Sequence, residues 1–310
     1  MGIYCFVKIF NGLLYINFKK MERNVMIKIQ TIKNYIRFLI EDNIITSPSI
    51  FYKNKYSYDD AWLKIRLAEL RTHGYTSIDG LLSEEVLRAI SIKINEGVSG
   101  CASNIDISWN DQSKYWVINN PLMLDPNLVR IALDLRCLAI AERYFGRMPY
   151  LADVDMRRIP PVDMKVVQES GYSSSNWHRD TRGRQLKMMI YLTDVGANDS
   201  NFSFIPGSHT SAYRRKLGFM ESRLTDEEVA RMNKKTIEWY AKAGSVMIFD
   251  TNLIHRLRRK VGGNVRDSIT FYYTPGQNTR QLKLNRDWHK GLSYEVEALY
   301  NPQWPLSGRI

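Results

Sequence analysis

From about Tyr150 onward the chain is a succession of short runs of β-branched and aromatic residues parted by turn residues, and this texture restricts the available folds more than any other feature. Leu186 to Val195, Phe202 to Ile205, Ser245 to Phe249 and Ile269 to Tyr273 are each of strand length, and no long helical pattern lies between them. Parallel strands need a crossover, usually a helix, so these runs predict antiparallel pairing in a sandwich or jelly roll. One helix is expected to interrupt them. Thr225, with Glu228 three residues on, forms a capping box opening a segment that runs to about Lys242 and is ended by Gly244.

Upstream, Gly74-Tyr75-Thr76 through Ile78 to Gly80 predicts a short strand bounded by glycines. Ser83 follows as an N-cap, with Glu84 and Glu85 in a first turn where the helix dipole favours negative charge, and the helix should reach Ile94. A second helix is expected over Asn127 to Phe145, stopped by Gly146. The first 60 or so residues differ in character, with eleven Lys/Arg against five Asp/Glu between Met1 and Arg66. Val25, Ile29, Ile32, Ile36 and Leu39 recur at helical spacing, while Lys28, Lys33 and Arg37 fall mostly off that stripe. Such a helix either packs on the main domain or brings residues 21–40 to a membrane surface. A Pro/Ser-containing segment from Thr46 to Ser49 follows it. The expected organisation is a basic helical extension (1–66), a main domain (67–275) with a lid-like insertion (210–242), and a tail packed on the domain (276–310).

With 44% hydrophobic residues the chain has ample material for a core, so disorder is not the default. Cys5, Cys101 and Cys137 are widely spaced and form no C-x-x-C pair, which argues against a disulfide framework or thiolate zinc site and fits a reducing, cytoplasmic compartment. No stretch approaches the roughly 20 apolar residues that span a bilayer. The net charge of +12 favours anionic partners: nucleic acid, phosphorylated metabolites, coenzyme A esters or acidic lipid. Nucleic acid is disfavoured, because the charge is spread along the chain with no zinc-finger or RNA-binding signature. A solvated basic surface explains the excess equally well.

Five histidines occur, and two carry the chemical reading. His178 and Asp180 stand two apart in Asn176-Trp177-His178-Arg179-Asp180, a spacing that on extended backbone projects both from one face. His255 follows the apolar run Val246 to Phe249. Two imidazoles and one carboxylate on one face of an octahedron leave positions open for co-substrate and dioxygen, as non-haem iron(II) oxygenases require. A bare His-x-Asp is weak by itself, and the order of the surrounding elements carries more. Trp177-His178-Arg179-Asp180, Tyr191-Leu192-Thr193-Asp194-Val195, Phe204-Ile205-Pro206-Gly207-Ser208-His209, Gly244 to Asp250, and His255 with Arg266 eleven residues later follow in sequence. From about Gly74 to Pro275 the chain thereby resembles the phytanoyl-CoA dioxygenase-like family of iron(II)/2-oxoglutarate oxygenases.

That resemblance implies an α+β fold with a mainly β core, a double-stranded β-helix (cupin-like jelly roll) with flanking helices. It implies His178, Asp180 and His255 as metal ligands and Arg266 as the anchor of the distal carboxylate of 2-oxoglutarate. A guanidinium's planar fork suits that carboxylate, and Ser268, two residues on, would add a hydrogen bond. The bland alternative for Arg266 is an ion pair with Asp267. His209 is expected to be structural, and His73 and His289 to lie outside the site. Because Asp180 is present where halogenating relatives carry a small residue, hydroxylation is the expected outcome. The substrate is expected to be a small, lipid-linked or glycan molecule, and Arg214, Arg215, Lys216 and Arg223 in the insertion suggest an anionic one. The rivals are an inactive metal-binding jelly roll and a basic nucleic-acid-binding protein. Oligomeric state is not legible.

Overall fold

The computed structural model describes residues 7–10, 13–16, 53–101, 105–165, 175–180, 185–210, 223–275 and 282. The stripe from Val25 to Leu39, the Thr46 to Ser49 segment, most of the tail and Arg214 to Lys216 lie outside them. Near the N-terminus, β1 (Val7–Phe10) and β2 (Leu13–Ile16) pair as an antiparallel hairpin. The main body runs α1 (Asp60–His73), β3 (Tyr75–Ile78), α2 (Glu84–Val98), β4 (Ile107–Asn110), β5 (Tyr115–Ile118), α3 (Pro126–Ala132), α4 (Leu135–Phe145) and β6 (Tyr150–Ile159). It continues with β7 (Trp177–His178), β8 (Leu186–Tyr191), β9 (Asn201–Phe204), β10 (Arg223–Leu224), α5 (Asp226–Arg231), β11 (Ile237–Trp239), β12 (Val246–Asp250), β13 (His255–Arg258) and β14 (Arg266–Thr274).

The strands form a seven-stranded sheet in the order β3-β12-β8-β14-β6-β5-β4 and a five-stranded sheet in the order β10-β7-β13-β9-β11. Every named pairing within them is antiparallel. The sheets face each other as a jelly roll without closing into a barrel, and the period-two pattern of the central strands explains why. In β8, β12 and β14 one set of alternating residues (Leu186, Met188, Ile190; Val246, Ile248; Ile269, Phe271, Tyr273) joins the large core shared with the helices. The other set (Met189, Tyr191; Met247, Phe249) packs against Phe202 and Phe204 of the smaller sheet.

The helices cover the outer face of the larger sheet. Leu63, Leu67 and Leu70 of α1 are buried there, so the core draws on residues on both sides of position 66. Glu142 of α4 is fully buried and accepts hydrogen bonds from the backbone N–H groups of Lys55 (2.7 Å) and Tyr56 (3.1 Å), tying the incoming chain to the helix. Ser83 caps α2 as expected, its hydroxyl accepting from Val86 N.

Two expectations need correction. The helix expected over Asn127 to Phe145 is two helices, because Asp134 accepts a hydrogen bond from Arg136 N (2.9 Å) and so starts α4 after α3 has ended. The helix opened by the Thr225 capping box ends at Arg231 rather than Lys242. Asn233 takes a left-handed backbone, and Ile237 to Trp239 then pair with β9 while Trp239 stacks on Tyr191 at 4.2 Å. Part of the expected insertion is therefore built into the smaller sheet as β10 and β11. No helix among the described residues is long and apolar enough to cross a membrane.

Asp267 is fully buried on the helix-facing side of β14 and accepts two hydrogen bonds from Arg158 directly opposite on β6 (2.8 and 2.6 Å). Removing one partner of a buried pair leaves the other uncompensated, so Asp267→Asn is expected to destabilise the fold by about 3 kcal/mol. The denaturant midpoint should fall accordingly, and an unchanged midpoint would contradict this role for the pair.

Candidate metal centre

His178, Asp180 and His255 offer ligand atoms that all lie within 4.8 Å of one another, and among the described residues they form the one cluster able to hold a metal ion. The smaller sheet creates this convergence. His255 on β13 is the direct cross-strand partner of His178 on β7, and such partners project from the same face. Their rings lie 4.3 Å apart between centroids. Asp180 follows in line as its backbone N–H donates to Thr251 O (2.9 Å), which fixes the ligand-bearing segment to the loop leading into His255.

The surroundings orient each ligand. His178 Nδ1 lies 2.8 Å from Asn176 O and His255 Nδ1 lies 2.6 Å from Leu253 O. A carbonyl only accepts, so Nδ1 carries the proton in both rings and Nε2 is left as the metal-binding nitrogen. Burial lowers the pKa of His178, and burial together with neighbouring His178 lowers that of His255 to about 3. Both rings are therefore neutral near pH 7, the form that ligates. Burial works against the Asp180 carboxylate, but the Lys187 ammonium, aided by His255, outweighs it and holds the pKa below the usual value. Lys187 Nζ sits 2.7 Å from Asp180 Oδ2 and 4.8 Å from the centroid of the Tyr272 ring.

Trp177 locks the outer side of this strand. Its indole N–H donates to Asp226 Oδ1 (2.7 Å), the same carboxylate binds Arg256 (2.7 Å), and the Arg256 guanidinium lies 4.3 Å from the Trp177 ring centroid. The capping box thus places the start of α5 against β7.

Arg266 extends from β14 into the space between the sheets. The residue is 5% exposed, and its guanidinium lies 4.9 Å from the Tyr191 ring centroid and makes a long contact from Nη2 to Met189 Sδ (3.7 Å). Its Nε and Nη1 have no hydrogen-bond partner among the described residues. The alternative pairing with Asp267 does not form, because adjacent strand residues point to opposite faces and Asp267 is taken by Arg158. Ser268 is buried on the same face as Arg266 by strand alternation. A buried cation with two unmet donors in the space between the sheets suits a carboxylate-bearing ligand.

His209 is structural: its Nε2 lies 3.1 Å from Arg71 O, and its ring packs so closely on Gly74 that a Cβ there would come within 2.6 Å of Nδ1. Sequence reasoning missed Lys187, Tyr191 and Trp239. A lone lysine inside the apolar run Leu186 to Tyr191, in phase with Met189 and Tyr191, was the signal for the first.

A model of the phytanoyl-CoA dioxygenase (PhyH) family matches residues 70–267. No curated protein matches the chain. Among solved structures, EctD from S. alaskensis with 2-oxoglutarate and 5-hydroxyectoine aligns at TM-score 0.54 and 18% identity, covering 77% of this chain and 83% of that one. EctD from the same source with bound Fe aligns at TM-score 0.51 and 18% identity, covering 77% and 84%. The epimerase SnoN in complex with Fe3+, alpha ketoglutarate and nogalamycin RO aligns at 0.50 and 18%, covering 70% and 84%. At such identity the likeness is one of fold.

His255→Ala and Asp180→Ala should each weaken cobalt(II) or iron(II) binding by more than about 100-fold, whereas His209→Gln should leave it unchanged. Anaerobic titration followed by visible absorption measures this. The depressed histidine pKa values also set the acid response of the metal-free protein. Below the unfolded value near 6.5 the unfolded chain takes up protons that the folded rings refuse, so stability should fall from about pH 6.5 towards 3. His255→Gln should flatten that slope in pH-resolved unfolding.

Proposed function

The chain belongs to the phytanoyl-CoA dioxygenase (PhyH) family, and from that membership and the site's geometry we propose that it is an iron(II)/2-oxoglutarate-dependent oxygenase hydroxylating a small molecule. The observation that carries the reading is the buried Arg266 guanidinium with two unpaired nitrogens in the same interior as the His178-Asp180-His255 cluster. A structural arginine at that depth would be expected to have a carboxylate of its own, as Arg158 has.

In this reading His178 and His255 bind the metal through Nε2 and Asp180 binds it through its carboxylate. When bound, iron(II) with 2-oxoglutarate and dioxygen supplies the power to oxidise an unactivated C–H bond, releasing succinate and carbon dioxide. Arg266 grips the distal carboxylate of the co-substrate, and Ser268 adds a hydroxyl donor on the same strand face. Lys187 steadies Asp180, and the tight packing of Phe202 and Phe249 on His255 excludes water from one side of the centre. The carboxylate at Asp180 favours hydroxylation over halogenation, because it occupies the position a halide would need. EctD was solved with a hydroxylated compound and SnoN is an epimerase, so the fold alone does not choose the outcome. We assign the catalytic unit to residues 67–275 together with α1, whose apolar face completes its core.

Anaerobic addition of iron(II) and 2-oxoglutarate should produce a weak visible charge-transfer band, and exposure to air should then release succinate. Arg266→Ala should weaken 2-oxoglutarate binding by about 100-fold or more while metal affinity is retained. A protein that binds iron but develops no band and releases no succinate would instead be an inactive metal-binding jelly roll.

A further inference from the structure

A cavity of about 530 Å³ lies against the inner face of the larger sheet, between β5, β6 and β14. Strand register shows how it joins the metal centre. Asp153, Asp155 and Arg157 of β6 stand opposite Tyr272, Thr270 and Ser268 of β14, so the cavity wall continues the row of side chains that begins with Arg266 and Ser268. Tyr272 belongs to the wall, its ring carries the Lys187 ammonium, and that ammonium pairs with Asp180. Given the reaction proposed above, on which this inference rests, a substrate lying here would adjoin the oxidising centre.

The chemistry of the wall selects the substrate. Three carboxylates, Asp106, Asp153 and Asp155, face one guanidinium, Arg157, which leaves a formal charge of −2 among the lining residues. Arg157 is paired with Asp155 and lies 4.9 Å from the Tyr115 ring centroid, so the charges of this pair offset each other within the wall and the remaining formal charge sits on Asp106 and Asp153. Asp106 is held in place by the side-chain amides of Asn119 (2.9 Å) and Asn120 (3.0 Å). Burial above all, with the Asp155, Asp180 and Asp153 carboxylates adding to it and Arg157 opposing, pushes the Tyr272 phenol well above its usual pKa, which keeps it a neutral hydrogen-bonding group. Hydroxyl, amide and carboxylate groups predominate, and the aliphatic lining is confined to Val117, Ile118 and Val154. An acyl chain would find little matching surface, and a phosphate would meet like charge.

We propose that this cavity is the substrate site and that it takes a cationic, hydroxyl-bearing small molecule of the amino-sugar kind. This reverses the sign suggested by the basic residues of the 210–242 stretch, of which Arg214, Arg215 and Lys216 lie outside the described residues. An ammonium would be held by Asp153 beside the Asp155–Arg157 pair, and ring hydroxyls by the Asn119 and Asn120 amides, with the reacting carbon turned towards Tyr272.

The test is calorimetry on the full chain at low salt and at a pH where amines are protonated, with and without iron(II) and 2-oxoglutarate under anaerobic conditions. Three probes are compared: the glucosamine disaccharide, its N,N′-diacetyl counterpart with the same skeleton and no charge, and glucose 1-phosphate. The disaccharide diamine is expected to bind about tenfold or more tighter than the diacetyl form, with glucose 1-phosphate weakest. Asp153→Asn and Asp155→Asn should each erase most of that preference, and Arg157→Gln should sharpen it; circular dichroism verifies that each variant is folded. Equal binding of diamine and diacetyl forms, no binding of the diamine, tightest binding of the phosphate, or a preference untouched in both aspartate variants would overturn the proposal. Because the metal-free arm needs no iron, a preserved preference without a charge-transfer band would sink the oxygenase reading alone. A normal band without the preference would sink the site alone.

Discussion

The alternation of β8, β12 and β14 between two different environments is the constraint on which the rest of the structure depends. One set of side chains in these strands must satisfy a dry layer of helices, and it is apolar apart from Asp250 and Asp267, which are answered by Tyr144 and Arg158. The inward set meets two requirements along its length. Met189, Tyr191, Met247 and Phe249 fill the space against the smaller sheet, while Lys187, Arg266, Ser268 and Tyr272 on the same face are polar. A one-residue slip of any of these strands would exchange the two sets, putting Arg266 among the helices and Phe271 in the metal centre. Register is thus enforced by the core, and the position of the charged groups follows from it.

Buried charge explains how the interior divides into structural and chemical parts. Asp267 is answered by Arg158, Glu142 by two backbone N–H groups, and Asp180 by Lys187. Each of these would cost several kcal/mol if left alone, and each is compensated within the chain. Arg266 is the contrast: it touches a tyrosine face and a thioether, neither of which neutralises a guanidinium. Burial lowers its pKa, with Tyr191 opposing and Arg157 assisting that shift, yet it stays charged because no protein environment readily deprotonates arginine. Where Asp267, Glu142 and Asp180 are each answered within the chain, this cation is left for a partner from outside.

Much of this was legible in the sequence where local chemistry decides the outcome. The Ser83 and Thr225 caps, the Gly146 helix stop and the strand runs depend on neighbouring residues and are placed by them. The convergence of His178, Asp180 and His255 was legible only through the order of the surrounding elements, since nothing local says that β7 and β13 pair at those two histidines. What failed was decided by long-range contacts. Ile237 to Trp239 follow a genuine helix start, and their strand state comes from β9 and from the Tyr191 ring, both distant in the chain. The break at Asp134 was readable as a cap, but the apolar periodicity running through it concealed the restart. Lys187 left a trace as a lone lysine in an apolar run, but a charged residue within a strand ordinarily reads as solvent-facing, and for it and the acidic wall of the cavity only the sandwich turns the charge inward.

The candidate metal centre is also coupled to the helical layer through one carboxylate. Asp250, at the end of β12, accepts from Tyr144 Oη of α4 (2.5 Å) and from the backbone and side-chain nitrogens of Asn252 (2.8 and 2.9 Å). Its own N–H donates to Gly74 O, at the junction of α1 and β3. These bonds shape the short turn that presents Thr251 O to Asp180 N and Leu253 O to His255 Nδ1. Gly74 has φ +84 and the His209 ring lies against it, so the junction tolerates only glycine without displacing the turn's neighbours. The helix–strand junction and the His209 segment therefore act on the His178-Asp180-His255 cluster without touching it, by fixing the backbone carbonyls that aim its side chains.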